Sequence, residues 1–183
     1  MNIFYLHKEP QQCAEMHCDK HVVKMIVEYA QLLSTAHRVL DGHETIGKSQ
    51  SGRKRKVWKL SDERDVSLYK ATHINHPSAI WVRHSMWNYA WLSDLLLWVC
   101  TEYTHRYGKV HKVEASGLLK MLLINLPKNI KDVPFTEPTP AMPDEYKVDG
   151  SSVQSYHNYY NGAKQKLFSW KSRNIPEFVK SLG

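Results

Sequence analysis

The sequence predicts a mostly helical fold, a compact single domain spanning residues 1–183 and built around two long helices. Two stretches of the chain repeat apolar residues at spacings of three and four, the period of a helix with one buried face. A length of 183 residues is usual for one domain, and 42% hydrophobic residues suffice for a core. Shorter helices and an irregular proline-rich segment are expected to complete the domain.

The first long helix is predicted from Lys20 to Val39, with Asp19 as its N-cap. Before it, the apolar run Ile3–Leu6 fits a strand or an extended segment, and Gln11–Cys18 fits a short helix. The apolar residues of the long helix share one face, and its polar residues, including Arg38, share the other. This pattern predicts an amphipathic helix.

A mobile basic loop is predicted after this helix, from about residue 42 to residue 61. Asp41-Gly42 ends the helix, and the stretch that follows is polar, contains glycine and serine, and is strongly basic. Asp62–Thr72 is expected to add a short helix.

The second long helix is predicted from Ser78 to Tyr107. Tryptophans and leucines occupy much of its circumference, so we expect it to be covered on several sides. Pro77 fits its first turn, and Gly108 fits a left-handed cap at its end. Lys112–Ile124 is predicted to form another helix.

A proline-rich strap is predicted in the C-terminal third, because five of the eight prolines lie between residues 127 and 143. We expect this strap to cross the surface without secondary structure. Gln154–Trp170 is predicted to form the last helix, and Pro176–Leu182 a terminal turn.

The charge of the chain favours an anionic partner, since a net charge of +7 attracts the phosphates of nucleic acid. DNA is the expected partner, and a monomer is favoured. No stretch approaches the roughly 20 apolar residues of a membrane span, so no membrane association is expected. The N-terminus lacks the pattern of a secretory signal, and three cysteines form no disulfide framework. We therefore expect a cytoplasmic protein with reduced thiols.

The densest cluster of reactive side chains lies at the start of the first long helix. Its members are His17, Cys18, Asp19, Lys20, His21, Lys24 and Glu28. An amine whose pKa is lowered by neighbouring cations can act as a nucleophile, and a carboxylate can stabilise a developing sugar cation. A DNA glycosylase with lyase activity needs both groups. In the alternative interpretation, the lysines cover a solvated helix face and Asp19 only caps the helix.

A metal site is a weaker interpretation of the same cluster. His17 and His21 could hold one ion together with Cys13 or Cys18. No glutamate follows the first histidine as in zinc hydrolases, and the chain has no Cys-x-x-Cys. We therefore expect neither a metal nor a cofactor.

Two further groups of residues are candidates for DNA binding. Asn75 and His76 precede a helix whose first-turn N–H groups can bind phosphate, with Arg83 as a nearby cation, although either residue could simply cap the helix. Basic and aromatic side chains together can grip phosphates and stack on bases. Such side chains are Arg53, Lys54, Arg55 and Lys56 in the basic loop, and Tyr159, Tyr160 and Lys164 in the last helix.

Three segments, in this order, resemble the pyrimidine-dimer DNA glycosylase (endonuclease V) family of phages and bacteria. The first is Asp19-Lys20 with Lys24 and Glu28; the second is Asn75-His76-Pro77 with Trp81, Cys100-Thr101-Glu102-Tyr103 and Arg106-Tyr107-Gly108; the third is Tyr159-Tyr160-Asn161-Gly162 with Lys164. Together they cover about half of the chain.

The resemblance implies a helical fold whose N-terminal segment runs between long helices and ends near a catalytic carboxylate. It also implies an N-terminal amine as nucleophile, basic residues that hold phosphates, and an aromatic tail against the DNA. On this sequence the carboxylate matches Asp19, with Glu15 as the alternative, and the tail matches residues 159–164.

The N-terminus departs from the family pattern, because removal of the initiator Met requires a second residue smaller than Asn2. The nucleophile is then the amine of Met1, Lys20 or Lys24, or a water molecule. The leading hypothesis is a DNA base-excision glycosylase, with AP-lyase activity if an amine acts, on a damaged or modified pyrimidine. The alternatives are a non-catalytic nucleic-acid-binding protein, and a nucleotide-directed hydrolase or transferase with a histidine or metal site.

Overall fold

The fold is mostly helical, as predicted, in a computed structural model that describes residues 1–48 and 51–180. Within these residues the helices are α1 (Pro10–Met16), α2 (Asp19–Asp41), α3 (Arg64–Ser67), α4 (Pro77–His84), α5 (Met86–Tyr107), α6 (Lys112–Ala115), α7 (Leu118–Ile124) and α8 (Ser152–Tyr159). Helix α5 packs on both α1 and α2, and α4 packs on α2. The described part contains no helix that is long and apolar enough to cross a membrane.

The first long helix, α2, buries most of the predicted apolar face, including Val22, Ile26 and Leu33, but leaves Val23 43% exposed. Cys18 occupies the N-cap position, so the prediction that Asp19 caps the helix is wrong. The prediction for Arg38 is also wrong, because its side chain is fully buried. It donates hydrogen bonds to Asp65 and to the backbone carbonyls of residues 58, 65, 68 and 69.

The predicted basic loop is instead an antiparallel β-hairpin. Strands β1 (His43–Lys48) and β2 (Lys54–Lys59) pair from His43 opposite Lys59 to Lys48 opposite Lys54. Residues 49 and 50 of the predicted loop lie outside the described residues. A bond of 2.9 Å from Arg38 to the carbonyl of Trp58 ties the hairpin to the C-terminal end of α2.

The second predicted long helix is two helices, because the chain is extended at Ser85. The hydroxyl of Ser85 accepts a hydrogen bond from the N–H of Trp87, which caps α5, and donates one to the carbonyl of Val133. A capping serine at this point therefore starts a new helix. Gly108 ends α5 in the left-handed conformation, as predicted (φ +64°).

The remaining elements are shorter than predicted. Lys112–Ile124 is divided into α6 and α7 at Gly117, which has a φ of +81°. Of the predicted helix in Asp62–Thr72, only α3 forms. After α8 the chain continues as one turn of π-helix, Tyr160–Lys164, and a 3₁₀ turn, Gln165–Leu167. The predicted terminal turn begins at Pro176, and its last residues lie outside the described part.

The proline-rich strap has no helix or strand from residue 130 to residue 143, as predicted. It is held to the helices by side chains that bond to its backbone. Asn88 accepts a hydrogen bond from the N–H of Thr136, and the amide of Asn2 donates one of 2.7 Å to the carbonyl of Ala141. The strap thus connects the start of α5 with the start of the chain.

Candidate active site

A cavity of about 520 Å³ opens where the start of the chain, the N-terminal half of α2 and the π-helical turn meet. Lys20, His21, Lys24 and Glu28 of α2 line one side of it. Met1 and Lys164 lie among the other lining residues, together with Tyr159. The cavity therefore collects most of the α2 cluster and part of the aromatic tail.

Glu28 lies between two amines in this cavity. One carboxylate oxygen is 3.9 Å from the N-terminal nitrogen of Met1, and the other is 3.2 Å from the amine of Lys24. The side chain of Glu28 is only 16% exposed, while that of Lys24 is 69% exposed. Glu28 and the Met1 amine thus form the inner pair, and Lys24 lies towards solvent.

The first residues of the chain are held in place by buried contacts. Residues 3–6 are buried in the core, and the side chain of Asn2 bonds in two directions. Its amide donates to the strap at Ala141, and its oxygen accepts a 2.6 Å hydrogen bond from the hydroxyl of Tyr156. These contacts fix the position of the Met1 amine relative to Glu28.

His21 contributes a neutral imidazole to the cavity. Its Nδ1 is 2.5 Å from the hydroxyl of Tyr160, and its ring stacks on Phe4 at a centroid distance of 4.1 Å. Burial, assisted by the charges of His17, Lys164 and Lys24, lowers the pKa of His21 to about 3. A neutral imidazole can donate one hydrogen bond and accept another without adding a charge to the cavity.

The π-helical turn carries the tail residues of the cavity. The amine of Lys164 lies 4.5 Å from the centroid of the Tyr159 ring, a cation–π contact. Tyr160 is fully buried, so it serves as the hydrogen-bond partner of His21 and its predicted contact with DNA is wrong. Turns of π-helix are uncommon and often occur at functional sites.

His76 lies close enough to the cavity for the charges of the Met1 amine and Glu28 to shift its pKa. Burial lowers the pKa of His76, the Met1 amine and His73 lower it further, and Glu28 raises it. Its Nδ1 accepts a hydrogen bond from the N–H of Ser78, so it also caps α4. Asn75 is exposed beside it. Arg83 donates a 2.7 Å hydrogen bond to the carbonyl of Ile74, and thereby supports this segment.

Asp19 does not line this cavity. Its carboxylate accepts hydrogen bonds from the hydroxyl of Ser169 (2.6 Å), from the N–H of Lys171 (3.0 Å) and from the buried guanidinium of Arg106 (3.0 Å). Burial raises the pKa of Asp19, but these bonds outweigh burial and hold it below the usual value. The carboxylate therefore joins α2, α5 and the C-terminal segment.

The Glu15 alternative also lies elsewhere. Its carboxylate is 3.6 Å from Arg173, in a larger cavity of about 980 Å³ between α1 and residues 172–177. Arg173 also bonds to Glu102 at 2.5 Å, so its guanidinium is shared between two carboxylates. This larger cavity presents no amine beside a carboxylate.

The histidines and cysteines considered for a metal site have other partners. Within residues 1–48 and 51–180, no group of three or more histidine, cysteine or acidic side chains is placed to hold an ion. His17 is buried, with its two ring nitrogens 2.7 Å from the carbonyl of Cys13 and 2.8 Å from the hydroxyl of Tyr29. Burial raises the pKa of the Cys13 thiol to about 12 and also raises that of Cys18.

The basic residues of the hairpin lie apart from the cavity. Lys54, Arg55 and Lys56 are exposed on β2, and Arg53 is exposed just before it. Lys56 pairs with Glu44 across the hairpin at 2.9 Å. Arg38, which holds the hairpin, follows Lys24 by nearly four helical turns, so it lies about 21 Å away on nearly the same face of α2.

Sequence reasoning named Glu28 and the Met1 amine separately but did not bring them together. The contact depends on a buried N-terminal segment that doubles back over α2, and no local pattern reveals that path. No protein-family model, curated protein or solved structure matches this chain. The chemistry must therefore be argued from the geometry of the cavity.

Proposed function

We propose that the protein is a DNA base-excision glycosylase with AP-lyase activity that acts on a damaged or modified pyrimidine. The observation that carries the proposal is the contact of 3.9 Å between the Met1 amine and the carboxylate of Glu28 in a cavity lined by lysines. The side chain of Met1 is 4% exposed and that of Lys24 is 69% exposed, so Met1 is the residue enclosed in the cavity. We therefore assign the nucleophile to Met1 and keep Lys24 as its competitor.

The proposed reaction begins with attack of the free amine on C1′ of an extruded nucleotide. The bond from C1′ to the base breaks, the base leaves with its electron pair and takes up a proton, and Glu28 stabilises the positive charge on the sugar. Loss of the amine proton and opening of the sugar ring leave an imine. Glu28 then accepts a proton from C2′, and elimination of the 3′ phosphate cuts the strand.

The other residues of the cavity have supporting roles in this proposal. Lys20 and Lys164 supply positive charge for the phosphates beside the extruded nucleotide. Tyr159 offers an aromatic face for a base. The neutral His21 is placed to donate a hydrogen bond to the leaving base, which takes its proton from solvent. His76 and Asn75 border the same region from the start of α4.

Borohydride trapping on an oligonucleotide with one abasic site tests the amine mechanism. We expect a covalent adduct with the wild-type chain, mapped by peptide mass spectrometry to Met1. A chain extended by two residues at its N-terminus should lose the adduct, while Lys24→Ala and the remote control Lys147→Ala should keep it. An adduct on Lys24 would transfer the role to that lysine, and the absence of any adduct would refute the amine mechanism.

A non-catalytic nucleic-acid-binding protein is the second candidate, and the exposed cations of the hairpin favour it. It predicts binding that weakens steeply with salt and no strand cleavage. Incubating the protein with duplexes that carry single damaged pyrimidines separates the two candidates, because only a glycosylase releases the free base.

A further inference from the structure

A second groove, of about 490 Å³, lies on the surface where the start of α5 meets the strap. It is an open trough rather than an enclosed cavity, and Pro10 and Pro134 form parts of its walls. Trp87, Trp91 and Asp94 come from α5, where spacings of four and three place them on one face of the helix. None of these residues belongs to the cavity around Glu28.

Aromatic faces border this trough on two sides. Trp91 and Phe135 form one pair, with ring centroids 6.4 Å apart, and Trp81 supports both rings from behind. Trp87 is 50% exposed, and within the described residues it makes no ring contact with this pair. Half of the Trp87 side chain is therefore accessible to a ligand.

The indole N–H groups of the trough already have partners. Trp91 donates a 2.7 Å hydrogen bond to the carbonyl of Lys8, and Trp87 donates one of 3.0 Å to the carboxylate of Asp132. A peptide in a polyproline conformation is usually held in an aromatic groove by such donors. This trough offers its π faces instead, and those attract cations.

The trough also contains carboxylates without cationic partners. No ion pair or side-chain hydrogen bond is made by Asp94 or Glu9 in the part of the chain that the structure describes. Partial burial raises the pKa of Asp94. With Lys8 as the only cation in the lining, the trough has a net charge of −1 on a chain whose net charge is +7.

We propose that this trough binds an arginine side chain presented by a partner polypeptide. A guanidinium stacks on an indole face and pairs through two N–H groups with a carboxylate, which an ammonium does not. Trp87 and Trp91 would supply the indole faces, and Asp94, about one helical turn beyond Trp91, would supply the carboxylate. The open shape suits a side chain that enters from a polypeptide lying outside, with the two prolines as apolar contacts for its neighbouring residues.

An NMR titration with the capped pentapeptide Ala-Ala-Arg-Ala-Ala tests this proposal on the full chain. We expect saturable shifts of the indole N–H signals of Trp87 and Trp91. The same peptide with citrulline, which keeps the shape but lacks the charge, should bind at least 10-fold more weakly. Asp94→Asn and Trp87→Leu should each reduce the affinity at least 5-fold, and the remote exposed control Asp149→Asn should not change it.

Four results would overturn the proposal. Equal binding of the citrulline peptide would mean that the charge of the side chain does not matter. Equal binding of a lysine peptide would mean that the trough recognises any cation and does not require a guanidinium. Free arginine that binds as tightly as the peptide would point to a small molecule instead of a polypeptide. If Asp94→Asn keeps both its affinity for the peptide and its thermal melting temperature, the Asp94 carboxylate does not take part in binding. None of these results depends on the activity proposed for the Glu28 cavity.

Discussion

The sequence predicts Asp19 as the catalytic carboxylate of α2, but in the structure Glu28 is the one that lines the cavity. Asp19 follows the histidine and cysteine of the cluster and matches the family pattern, but its oxygens are saturated by Ser169, Lys171 and Arg106. Glu28 lies two and a half turns further along α2 and contacts the Met1 amine. A carboxylate that stabilises a cation on a substrate must face the substrate, so the geometry favours Glu28.

Substitution of Glu28 should therefore lower the rate of base excision, whereas substitution of Asp19 should lower the stability of the fold. Glu28→Gln should lower base excision by about 100-fold or more, because an amide neither stabilises the sugar cation nor accepts the C2′ proton. Asp19→Asn should keep the rate per folded molecule but lower the free energy of unfolding by about 2 kcal/mol, because Arg106 loses one of its two carboxylate partners. Urea titration and single-turnover excision measure the two quantities.

The reverse pattern would return the catalytic role to Asp19. That outcome would be a stable Asp19→Asn protein without activity beside an active Glu28→Gln protein. The sequence analysis assigned the carboxylate to Asp19 from the resemblance, although both residues are acidic and near lysines. What distinguishes them is the path of residues 1–6 and of residues 169–171, which are far from α2 in sequence and adjacent to it in space.

At the level of elements, the apolar periodicity predicted the helices. Where each helix ends depends on capping residues and, in some cases, on contacts with distant segments. The apolar face of α2 and the left-handed cap at Gly108 could be predicted because each depends on a few neighbouring residues. The break at Ser85 could not, because its hydroxyl is held by a carbonyl of the strap 48 residues away. The π-helical turn likewise depends on tertiary contacts, since Gly162 leaves room only for the ring of Tyr146.

The hairpin was predicted as a loop because its residues are mostly charged. Its register is fixed by backbone pairing and by the buried Arg38, which bonds to the carbonyl of Trp58. An arginine on a predicted polar face gives no sign that it is buried. The composition of the segment thus predicts an anionic partner, which stays a prediction, and it does not reveal the structure.

Removal of two hairpin cations should weaken DNA binding without changing the chemical step. In Lys54→Ala/Arg55→Ala, the slope of log K against log salt should become shallower by about 2, because two phosphate contacts are lost. Single-turnover excision at saturating protein should remain as in the wild type, since Arg38, which holds the hairpin, lies about 21 Å from Lys24 along α2. Fluorescence anisotropy at several salt concentrations measures the slope.

The matched control removes two exposed lysines elsewhere on the surface, in Lys109→Ala/Lys112→Ala. If this control changes the slope as much as the hairpin variant, only the net charge matters and the hairpin is no specific contact. A lower excision rate at saturation in the hairpin variant would instead show that the hairpin helps to place the nucleotide in the cavity.

At the scale of the whole molecule, the core is held partly by neutral histidines. His17, which precedes α2, bonds to Tyr29 of that helix. His21 and His37 of α2 bond to Tyr160 of the π-helical turn and to Tyr89 of α5. Burial is the largest cause that lowers the pKa of each histidine, to about 4 for His17 and His37 and to about 3 for His21. The same burial that positions the cavity therefore makes the fold sensitive to acid.

Stability should fall as the pH drops below about 6.5, the ordinary pKa of an unfolded histidine. Between about 6.5 and 4 the unfolded chain binds protons that the folded chain excludes, so each buried histidine should cost about 1 kcal/mol by pH 5.5. The carboxylates with lowered pKa values, such as Asp19 and Asp41, act in the same direction, but only below about pH 4. Urea unfolding should show a loss of about 1 kcal/mol between pH 7.5 and 6.5 and a further loss of about 3 kcal/mol between pH 6.5 and 5.5. A constant free energy of unfolding would mean that the histidines are not buried in neutral form.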